Sequence, residues 1–537
     1  MLTTRSWAGQ GDGRVTGREA AVSRNRWVLG LLALAVLSAG CGTTVKTAAG
    51  RNGSAGGDAG LSATSPGSSG ASATTAPGST GATAAGAAFG GTASAGPANA
   101  GGSGGTTGSA GSGGGSATSP GKPTGITSTL TPATAPGVTN STIYFGWAYS
   151  SSAASGDRAI GAAGAAPSYD ERNVFNAVID YANTHGGFAG RKLQALYYDY
   201  NLTTDTSTQD ESACAYYTQD NKSFVIPGND DILDACGQKA GSVLLGAGSA
   251  TEATFNRYPS LVDPDDVALD RLGQMTVDGL YKAGYFTGKL GLVTWDDPNY
   301  RDTITNGYLP ALSAHHITPA QIAYISVPQQ IGAVGDMTAA VSSAVTKFKS
   351  LGIDHVIVQD GADGVWAGDG LTLEWMDQAK SQDYYPRYGE NGLNNPGTSL
   401  NPSDEQNNLL AVSQIDYDPS YDQGIRANPA RTFCFQLEAN AGYPVSSSNA
   451  NDEVTASAAC DYVFFLQKVI NALPRVTAAA FVQAAQTLGT SFATSEVYGT
   501  KFVSGRRDGA DEVRAEEYFS SCSCLHFQTS PYYPDGQ

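Results

Sequence analysis

The side chains that could carry out catalysis are histidines and paired carboxylates. The sequence has five histidines, at positions 185, 315, 316, 355 and 526, and none is beside a plausible nucleophile. It contains no G-x-S-x-G elbow, phosphate-binding loop or H-E-x-x-H motif. Acidic pairs occur at Asp230-Asp231 and Asp296-Asp297, but adjacent residues on a loop rarely form an acid–base pair. The sequence therefore predicts a protein that is not an enzyme and needs no cofactor or metal, although calcium binding by these acidic turns stays open.

Six of the seven cysteines are candidates for disulfide bonds: Cys214, Cys236, Cys434, Cys460, Cys522 and Cys524. In an exported protein six cysteines can form three bridges with fifteen possible pairings. Proximity in the sequence favours Cys214–Cys236 and Cys434–Cys460. The remaining Cys-Ser-Cys favours a structural bridge, with an exchangeable disulfide or a metal clip as alternatives. No cluster of cysteine and histidine has zinc spacing.

Cys41 stands apart from the other cysteines. Four arginines between residues 14 and 26 precede an apolar run from Trp27 to Leu37, and the small residues 38–40 lead to Cys41. This pattern predicts a secretory signal peptide, because the apolar run is shorter than the roughly 20 residues of a membrane span. The ending LSAGC resembles a bacterial lipobox, which implies lipidation of Cys41 and attachment to the outer face of the cell membrane. An ordinary signal peptide and an uncleaved anchor helix are the alternatives.

Composition separates a linker from a folded region. Residues 41–139 are mostly Gly, Ala, Ser, Thr and Pro, which cannot bury enough apolar surface to offset the entropy of ordering. The sequence predicts a disordered linker with a span of roughly 50–60 Å. The net charge of the 537-residue chain is −18, which argues against nucleic acid or an anionic lipid surface as a partner.

Apolar strands alternate with amphipathic helices from residue 140 onwards. Strand-like runs occur at 142–148, 192–200, 224–228, 242–248, 290–296, 321–327, 355–361 and 409–415. The clearest helices are 169–185, which Gly186-Gly187 ends, and 336–351. This alternation predicts parallel sheets covered by helices on both faces, arranged as two α/β lobes. Ligands of such sheets bind beyond the carboxyl ends of the strands, which here are polar or rich in glycine.

Four segments together resemble the type I periplasmic solute-binding proteins, near the branched-chain amino-acid binding proteins. They are ERNVFNAVIDYANTHGGFAGRKLQALYYD at 171–199, LLGAGSATEATF at 244–255, LGLVTWDDPNYRD at 290–302 and ACDYVFFLQKVINAL at 459–473. Their order and spacing carry the resemblance, which covers about residues 142–530. It implies a two-lobed Venus-flytrap that closes on a small ligand.

The resemblance also implies ligand-binding residues. The charged head of the ligand would meet backbone amides and a hydroxyl of Ser249, Ala250 and Thr251, because helix-start amides and short hydroxyls hold an anion well. Ser249 or Thr251 could instead cap the following helix, and both roles are compatible. Tyr300 matches the tyrosine of the second lobe, with a core aromatic beside the hinge as the alternative.

Some positions depart from the family pattern. Asn391, with Glu390 beside it, occupies the place where amino-acid binders often have a glutamate that pairs with the ligand ammonium, and a neutral amide pairs with it poorly. Asn229 and Asp230 occupy a turn where many relatives have a serine, and Asp230 would repel a carboxylate. These four residues and Asp363, which follows a predicted strand, complete the predicted ligand-binding set.

The predicted organisation follows the resemblance. The segments are a signal peptide (1–40), the linker (41–139), the first lobe (140–268 and 405–497), the second lobe (269–404) and a C-terminal segment that returns to the second lobe (498–537). The predicted function is capture of a small polar molecule, such as an amino acid or an amide, by a monomeric lipoprotein that delivers it to the permease of an ABC importer. The alternative is a ligand-sensing or envelope-regulatory lipoprotein that contacts another protein.

Overall fold

The computed structural model describes residues 135–155, 167–228, 230–246, 248–361, 370–391, 401–407, 409–415, 428–446, 450–521, 524–527 and 533–534. These residues belong to one compact unit within Ser116–Gln537. The predicted signal peptide, Cys41 and the linker up to residue 134 lie outside the described residues.

The first sheet has five parallel strands in the order β2-β1-β3-β4-β5. Its strands are β1 (Thr142–Tyr149), β2 (Lys192–Asp199), β3 (Val225–Pro227), β4 (Val243–Leu245) and β5 (Leu261–Val262). Every residue of β3, β4 and β5 is buried, as expected where helices cover both faces of a parallel sheet.

The second sheet has eight strands in the order β12-β11-β10-β9-β8-β6-β7, and β13 pairs with β11. Its strands are β6 (Leu290–Trp295), β7 (Gln321–Ile325), β8 (His355–Gln359), β9 (Arg387–Glu390), β10 (Leu410–Ser413), β11 (Glu512–Phe519), β12 (Cys524–Phe527) and β13 (Tyr533–Pro534). The strands from β6 to β10 are parallel, and β11 runs antiparallel to β10.

Helices cover both sheets. In chain order the described helices are α1 (Glu171–Thr184), α2 (Thr206–Ala215), α3 (Asp231–Ala240), α4 (Glu252–Arg257), α5 (Leu269–Lys282), α6 (Pro298–Asp302), α7 (Leu309–Ala314), α8 (Val334–Ser350), α9 (Gly370–Ser381), α10 (Pro429–Ala441), α11 (Ala450–Asn471) and α12 (Ala478–Ala485). Short π-helical segments extend α2 and connect α6 to α7. None of the described helices is both long enough and apolar enough to cross a membrane.

Local sequence explains where α1 begins and ends. The Asp170 side chain accepts a hydrogen bond from the Arg172 backbone N–H and so caps the first turn. At the other end, Gly186 and Gly187 have φ angles of 111° and 62°, which side chains with a Cβ rarely adopt. A Cβ at Gly187 would also lie 2.8 Å from the Arg191 carbonyl oxygen, so this tight turn requires glycine.

Each sheet has its own hydrophobic core. The core on one face of the first sheet is formed with helices α1, α10, α11 and α12. The first sheet, these four helices and α2–α4 are together called the first lobe below. Helices α5 to α9 pack on the second sheet, and this group is called the second lobe. The mixed α/β fold with two sheets confirms the predicted fold class.

Described segments that cross between the lobes lie side by side. Asp263, which follows β5, forms a parallel bridge with Asp508, and Ile415, which follows β10, forms an antiparallel bridge with Val497. The Gln414 amide donates a hydrogen bond of 2.9 Å to Asp266. These crossing segments, 263–268, 413–415 and 496–511, are called the hinge below.

One predicted boundary differs from the structure. The sequence places residues 405–497 in the first lobe, but β10 pairs with β9 and β11 in the second sheet. A short, wholly buried strand such as Leu410–Ser413 has the same apolar pattern in either sheet, so its sequence cannot report which sheet it joins.

The structure contains disulfides Cys214–Cys236 and Cys434–Cys460. The first joins α2 to α3, and the second joins α10 to α11. Cys522 lies outside the described residues, and Cys524 begins β12, so a bridge between these two cysteines stays a prediction.

Candidate functional site

The loop that follows β4 is buried in the first lobe. Ser249, Ala250 and Thr251 are 4%, 3% and 0% exposed. The Thr251 hydroxyl accepts a hydrogen bond of 3.3 Å from the Thr254 backbone N–H and caps α4, which is the capping role considered from the sequence. The Ala250 carbonyl accepts a hydrogen bond of 2.9 Å from the Leu269 backbone N–H, which joins this loop to the start of α5.

This loop meets the turn that follows β6 in the second lobe. The Thr254 hydroxyl donates a hydrogen bond of 2.6 Å to Oδ1 of Asn299, the residue before Tyr300. Asp297 caps the short helix α6 by accepting a hydrogen bond of 2.8 Å from the Asn299 backbone N–H. The carboxyl ends of β4 and β6, which belong to different sheets, therefore lie against each other.

A second contact between the lobes lies beside the first sheet. The backbone N–H and the hydroxyl of Thr206 both donate to the Gln329 carbonyl, at 3.0 and 2.9 Å. The Ile331 backbone N–H donates to the Leu202 carbonyl at 2.9 Å. Segments after β2 and β7 thus join the lobes, and the described structure has the lobes in contact.

Tyr300 and Asn391 converge at the carboxyl end of β8. Tyr300 is fully buried, and a Cβ at Gly361 would lie 2.6 Å from its hydroxyl oxygen. The Asn391 amide donates a hydrogen bond of 2.7 Å to the Asp360 carbonyl. Glu390, the last residue of β9, is 3% exposed. The structure therefore brings three of the predicted residues to neighbouring strand ends of the second lobe.

Asp360 is the carboxylate at the centre of these strand ends. It accepts hydrogen bonds from Trp295 Nε1 at 2.9 Å, from the Thr372 backbone N–H at 2.8 Å and from its neighbour Gly361 at 3.0 Å. Burial raises the pKa of Asp360 to about 6. The sequence prediction missed this residue, although its position directly after β8 was the available signal.

Aromatic side chains form a wall at the end of β1. The rings of Trp147 and Phe175 lie 4.3 Å apart, and those of Trp147 and Tyr462 lie 5.3 Å apart. Trp147 Nε1 donates to Glu171 at 3.4 Å, and burial raises the pKa of Glu171 to about 7. A Cβ at Gly246, directly after β4, would lie 2.8 Å from the Tyr462 hydroxyl. The sequence prediction missed this wall, because Tyr462 is far from β1 and β4 along the chain.

Asp230 follows β3 and caps α3. Its Oδ1 accepts hydrogen bonds from the backbone N–H groups of Ile232 and Leu233, at 2.6 and 3.0 Å. Its neighbour Asp210 accepts a hydrogen bond of 2.8 Å from the Tyr200 hydroxyl. Burial, and then the charge of Asp230, raises the pKa of Asp210 to about 8. At neutral pH the two carboxyls therefore hold a proton between them.

Replacing Asp210 by Asn should make stability less dependent on pH. Because the folded pKa of Asp210 lies above its unfolded value near 3.9, the wild type loses stability as pH rises toward 8. Between pH 5.5 and 8 this loss should be about 3 kcal/mol, and Asp210→Asn should lack it. Urea unfolding at several pH values measures the difference. The exposed Asp220→Asn is the control, and an equal pH dependence of wild type and Asp210→Asn would contradict the assignment.

Two predicted ligand-binding residues, Asn229 and Asp363, lie outside the described residues. The group Cys434, Glu438 and Cys460 has ligand atoms close enough for a metal ion, but both cysteines are joined in a disulfide. Thiolates are therefore not available there.

Comparison with family models and with curated proteins gives no match. Solved structures do match. A branched-chain amino acid ABC transporter protein from Thermus thermophilus with bound valine has a TM-score of 0.54 at 12% identity, covering 74% of this chain and 97% of that one. A solute-binding protein of an ABC transporter from R. palustris, in complex with 4-hydroxybenzoate, has a TM-score of 0.52 at 14% identity, covering 74% and 98%. An extracellular ligand-binding receptor from Verminephrobacter eiseniae has a TM-score of 0.52 at 12% identity, covering 72% and 99%.

The likeness spans nearly the whole length of each of these proteins and most of the described part of this chain. The chain therefore has the two-lobed fold of the type I periplasmic binding proteins.

Proposed function

We propose that this protein captures a small organic solute between its two lobes outside the cytoplasm and delivers it to an ABC importer. The observation that carries the proposal is the contact between Thr254 and Asn299, which sets the loop after β4 against the turn after β6. In α/β sheets these carboxyl ends are where ligands bind. Lipid attachment through Cys41 would keep the protein near its membrane partner.

The chemistry of the strand ends favours a carboxylate ligand with an apolar or aromatic body. On the first lobe, hydroxyls of Ser249 and Thr251 stand at the start of α4, where backbone N–H groups favour an anion. The wall of Trp147 and Tyr462 offers aromatic surface near the same strand ends. On the second lobe, the Asn391 amide binds the Asp360 carbonyl. Valine and 4-hydroxybenzoate, bound by the structural neighbours, are therefore the first compounds to test.

Native mass spectrometry of freshly purified full-length protein tests the proposal directly. A retained small molecule, identified after denaturation, is the expected result. A thermal-shift panel of amino acids, amides, short peptides and aromatic acids follows, and a ligand should raise the melting temperature. No retained molecule and no shift with any compound would contradict solute capture and favour the alternative of a regulatory lipoprotein that contacts another protein.

The double variant Ser249→Ala, Thr251→Ala should bind the identified ligand more weakly. Loss of two hydroxyl hydrogen bonds predicts an affinity lower by roughly 10- to 100-fold. Loss of the Thr251 cap should lower the free energy of unfolding by only about 1 kcal/mol. Calorimetry measures the affinity, and Ser343→Ala, an exposed hydroxyl on α8, is the control. Unchanged affinity in the double variant would place the ligand elsewhere.

A further inference from the structure

Three carboxylates from separate parts of the chain meet at the hinge. They belong to Asp265, between β5 and α5, to Asp461 in α11, and to Glu496, next to the crossing residue Val497. One oxygen from each lies within 4.8 Å of the others. None of these residues takes part in the candidate ligand site described above.

One carboxylate oxygen of Asp265 is buried and has no hydrogen-bond partner among the described residues. The residue is 5% exposed, and the oxygen is Oδ2. Burial raises the pKa of Asp265 well above its ordinary value, and the charges of Asp263, Glu496 and Asp461 raise it further. A buried carboxyl that faces three other carboxyls is costly unless a cation or protons neutralise the group.

Asp461 is held in place by the backbone of the segment that carries Glu496. Its Oδ1 accepts from the backbone N–H and the hydroxyl of Ser495, at 2.6 and 2.8 Å, and its Oδ2 accepts from the Glu496 backbone N–H at 3.1 Å. Oδ1 thus accepts two hydrogen bonds and Oδ2 accepts one, so Oδ2 keeps a lone pair and these bonds orient the carboxylate without using all of its acceptor capacity.

Arg431 is the nearby cation, and its described hydrogen bonds go mainly to the backbone. Nε donates to the Ser495 carbonyl at 2.8 Å, and Nη2 donates to the Glu496 carbonyl at 2.9 Å. Its charge lowers the pKa values of Asp461 and Glu496, but burial still raises them to about 7 and about 8. One guanidinium therefore offsets only part of the charge of the cluster.

A partly open cavity borders Glu496, one of the three cluster residues. Glu496 and Arg431 line a cavity of about 290 Å³ together with residues 428–429, 490, 493–494, 497–500 and 511–512. Glu496 is only partly buried, unlike Asp265 and Asp461. A hydrated ion could thus enter from this side and exchange waters for carboxylate oxygens.

We propose that Asp265, Asp461 and Glu496 bind a calcium ion at the hinge. Calcium binds oxygen ligands at 2.3–2.6 Å, so a single ion spans oxygens that lie up to about 5.2 Å apart, which includes the 4.8 Å limit of this cluster. Magnesium, at 2.0–2.1 Å, spans only about 4.2 Å and requires stricter geometry. The bound ion would join α11 of the first lobe to two hinge segments, and so would stiffen the hinge whatever ligand the cleft takes.

Calcium titration of the full-length protein tests this site. Protein treated with EDTA and desalted should bind CaCl₂ in calorimetry, and saturating calcium should raise the melting temperature by about 3 °C or more. Asp265→Asn should lose this shift. In EDTA the same variant should be at least as stable as the wild type, because it removes a buried carboxyl that faces other carboxyls. If Asp265 had only a structural role, its replacement would not both abolish the calcium-dependent rise in melting temperature and preserve stability in EDTA.

Further variants control for misfolding of Asp265→Asn and for non-specific binding of calcium. Glu496→Gln changes a partly exposed side chain and should also lose the calcium shift. Asp336→Asn, at an exposed position of α8, should bind calcium as the wild type does. Absence of calcium binding, or wild-type binding by Asp265→Asn and Glu496→Gln, would overturn the proposal. Tighter binding of MgCl₂ than of CaCl₂ would overturn the assignment to calcium.

Discussion

Replacing Asp508 by Asn should lower the free energy of unfolding by about 3 kcal/mol. Asp508 is 1% exposed and binds two cationic side chains at the hinge. Arg271 donates to both of its oxygens, and Arg506 Nε donates to Oδ1 at 3.1 Å. The Ala268 backbone N–H donates to Oδ2 at 2.6 Å. Asn keeps the shape and an acceptor, so the loss reports chiefly the buried charge of Arg271 deprived of this carboxylate, since Arg506 also binds Asp511 at 2.6 Å.

The measurement is urea unfolding in EDTA, which keeps any effect of divalent cations out of the comparison. Asp404→Asn is the matched control, because the Lys380–Asp404 ion pair spans 2.8 Å but both side chains are nearly half exposed. Exposed pairs contribute roughly 0–1 kcal/mol, so this control should change stability little. Equal losses in the two variants would contradict the importance assigned to Asp508. Because Asp508 bridges to Asp263 in the crossing segments, its variant should also weaken binding of any ligand that requires lobe closure.

Removing the Cys434–Cys460 disulfide should cost about 3 kcal/mol or slightly more. The bridge closes a segment with a sequence separation of 26 and joins α10 to α11. Cross-linking stabilises the folded state chiefly by restricting the unfolded chain, and both cysteines are also almost fully buried in the first-lobe core. The double variant Cys434→Ala, Cys460→Ala should therefore lose both the cross-link and some packing.

The second disulfide provides the comparison. Cys214–Cys236 has a sequence separation of 22, so the entropic contribution should be nearly the same. Its cysteines are only half-buried, and the variant Cys214→Ala, Cys236→Ala should therefore lose less packing. Denaturant unfolding of both double variants measures the two losses. A loss below about 1 kcal/mol for the Cys434–Cys460 pair would show that the bridge stabilises the first lobe little.

Much of the fold could be predicted from local patterns. The apolar runs at 224–228, 242–248 and 290–296 contain strands β3, β4 and β6, and the stripe at 336–351 lies in α8. Apolar periodicity reports which side of an element is buried, and the alternation of strands and helices predicts parallel sheets. The two favoured disulfides are present because short loops bring their cysteines close along the chain.

The candidate site could be predicted only in part. The resemblance selected the loop 249–251 and Tyr300, and the structure sets their neighbours Thr254 and Asn299 in contact. Asp360 and the wall of Trp147 and Tyr462 could not be selected in this way, because each becomes part of the site through neighbours that are distant in sequence. Ligand binding by these residues stays a prediction until a ligand is identified.

The sequence alone determined eight of the strands, β1–β4, β6–β8 and β10, and the covered parallel sheets, because these follow from composition and periodicity within short windows. Only the tertiary structure decided which segments meet. It places β10 in the second sheet, pairs Asp508 with Arg271, 237 positions away, and gathers Asp265, Asp461 and Glu496 at the hinge. The physical reason is that the residues next to a buried strand or an acidic residue in the sequence do not specify its partner. The partner depends on how the chain crosses between the lobes and packs both cores.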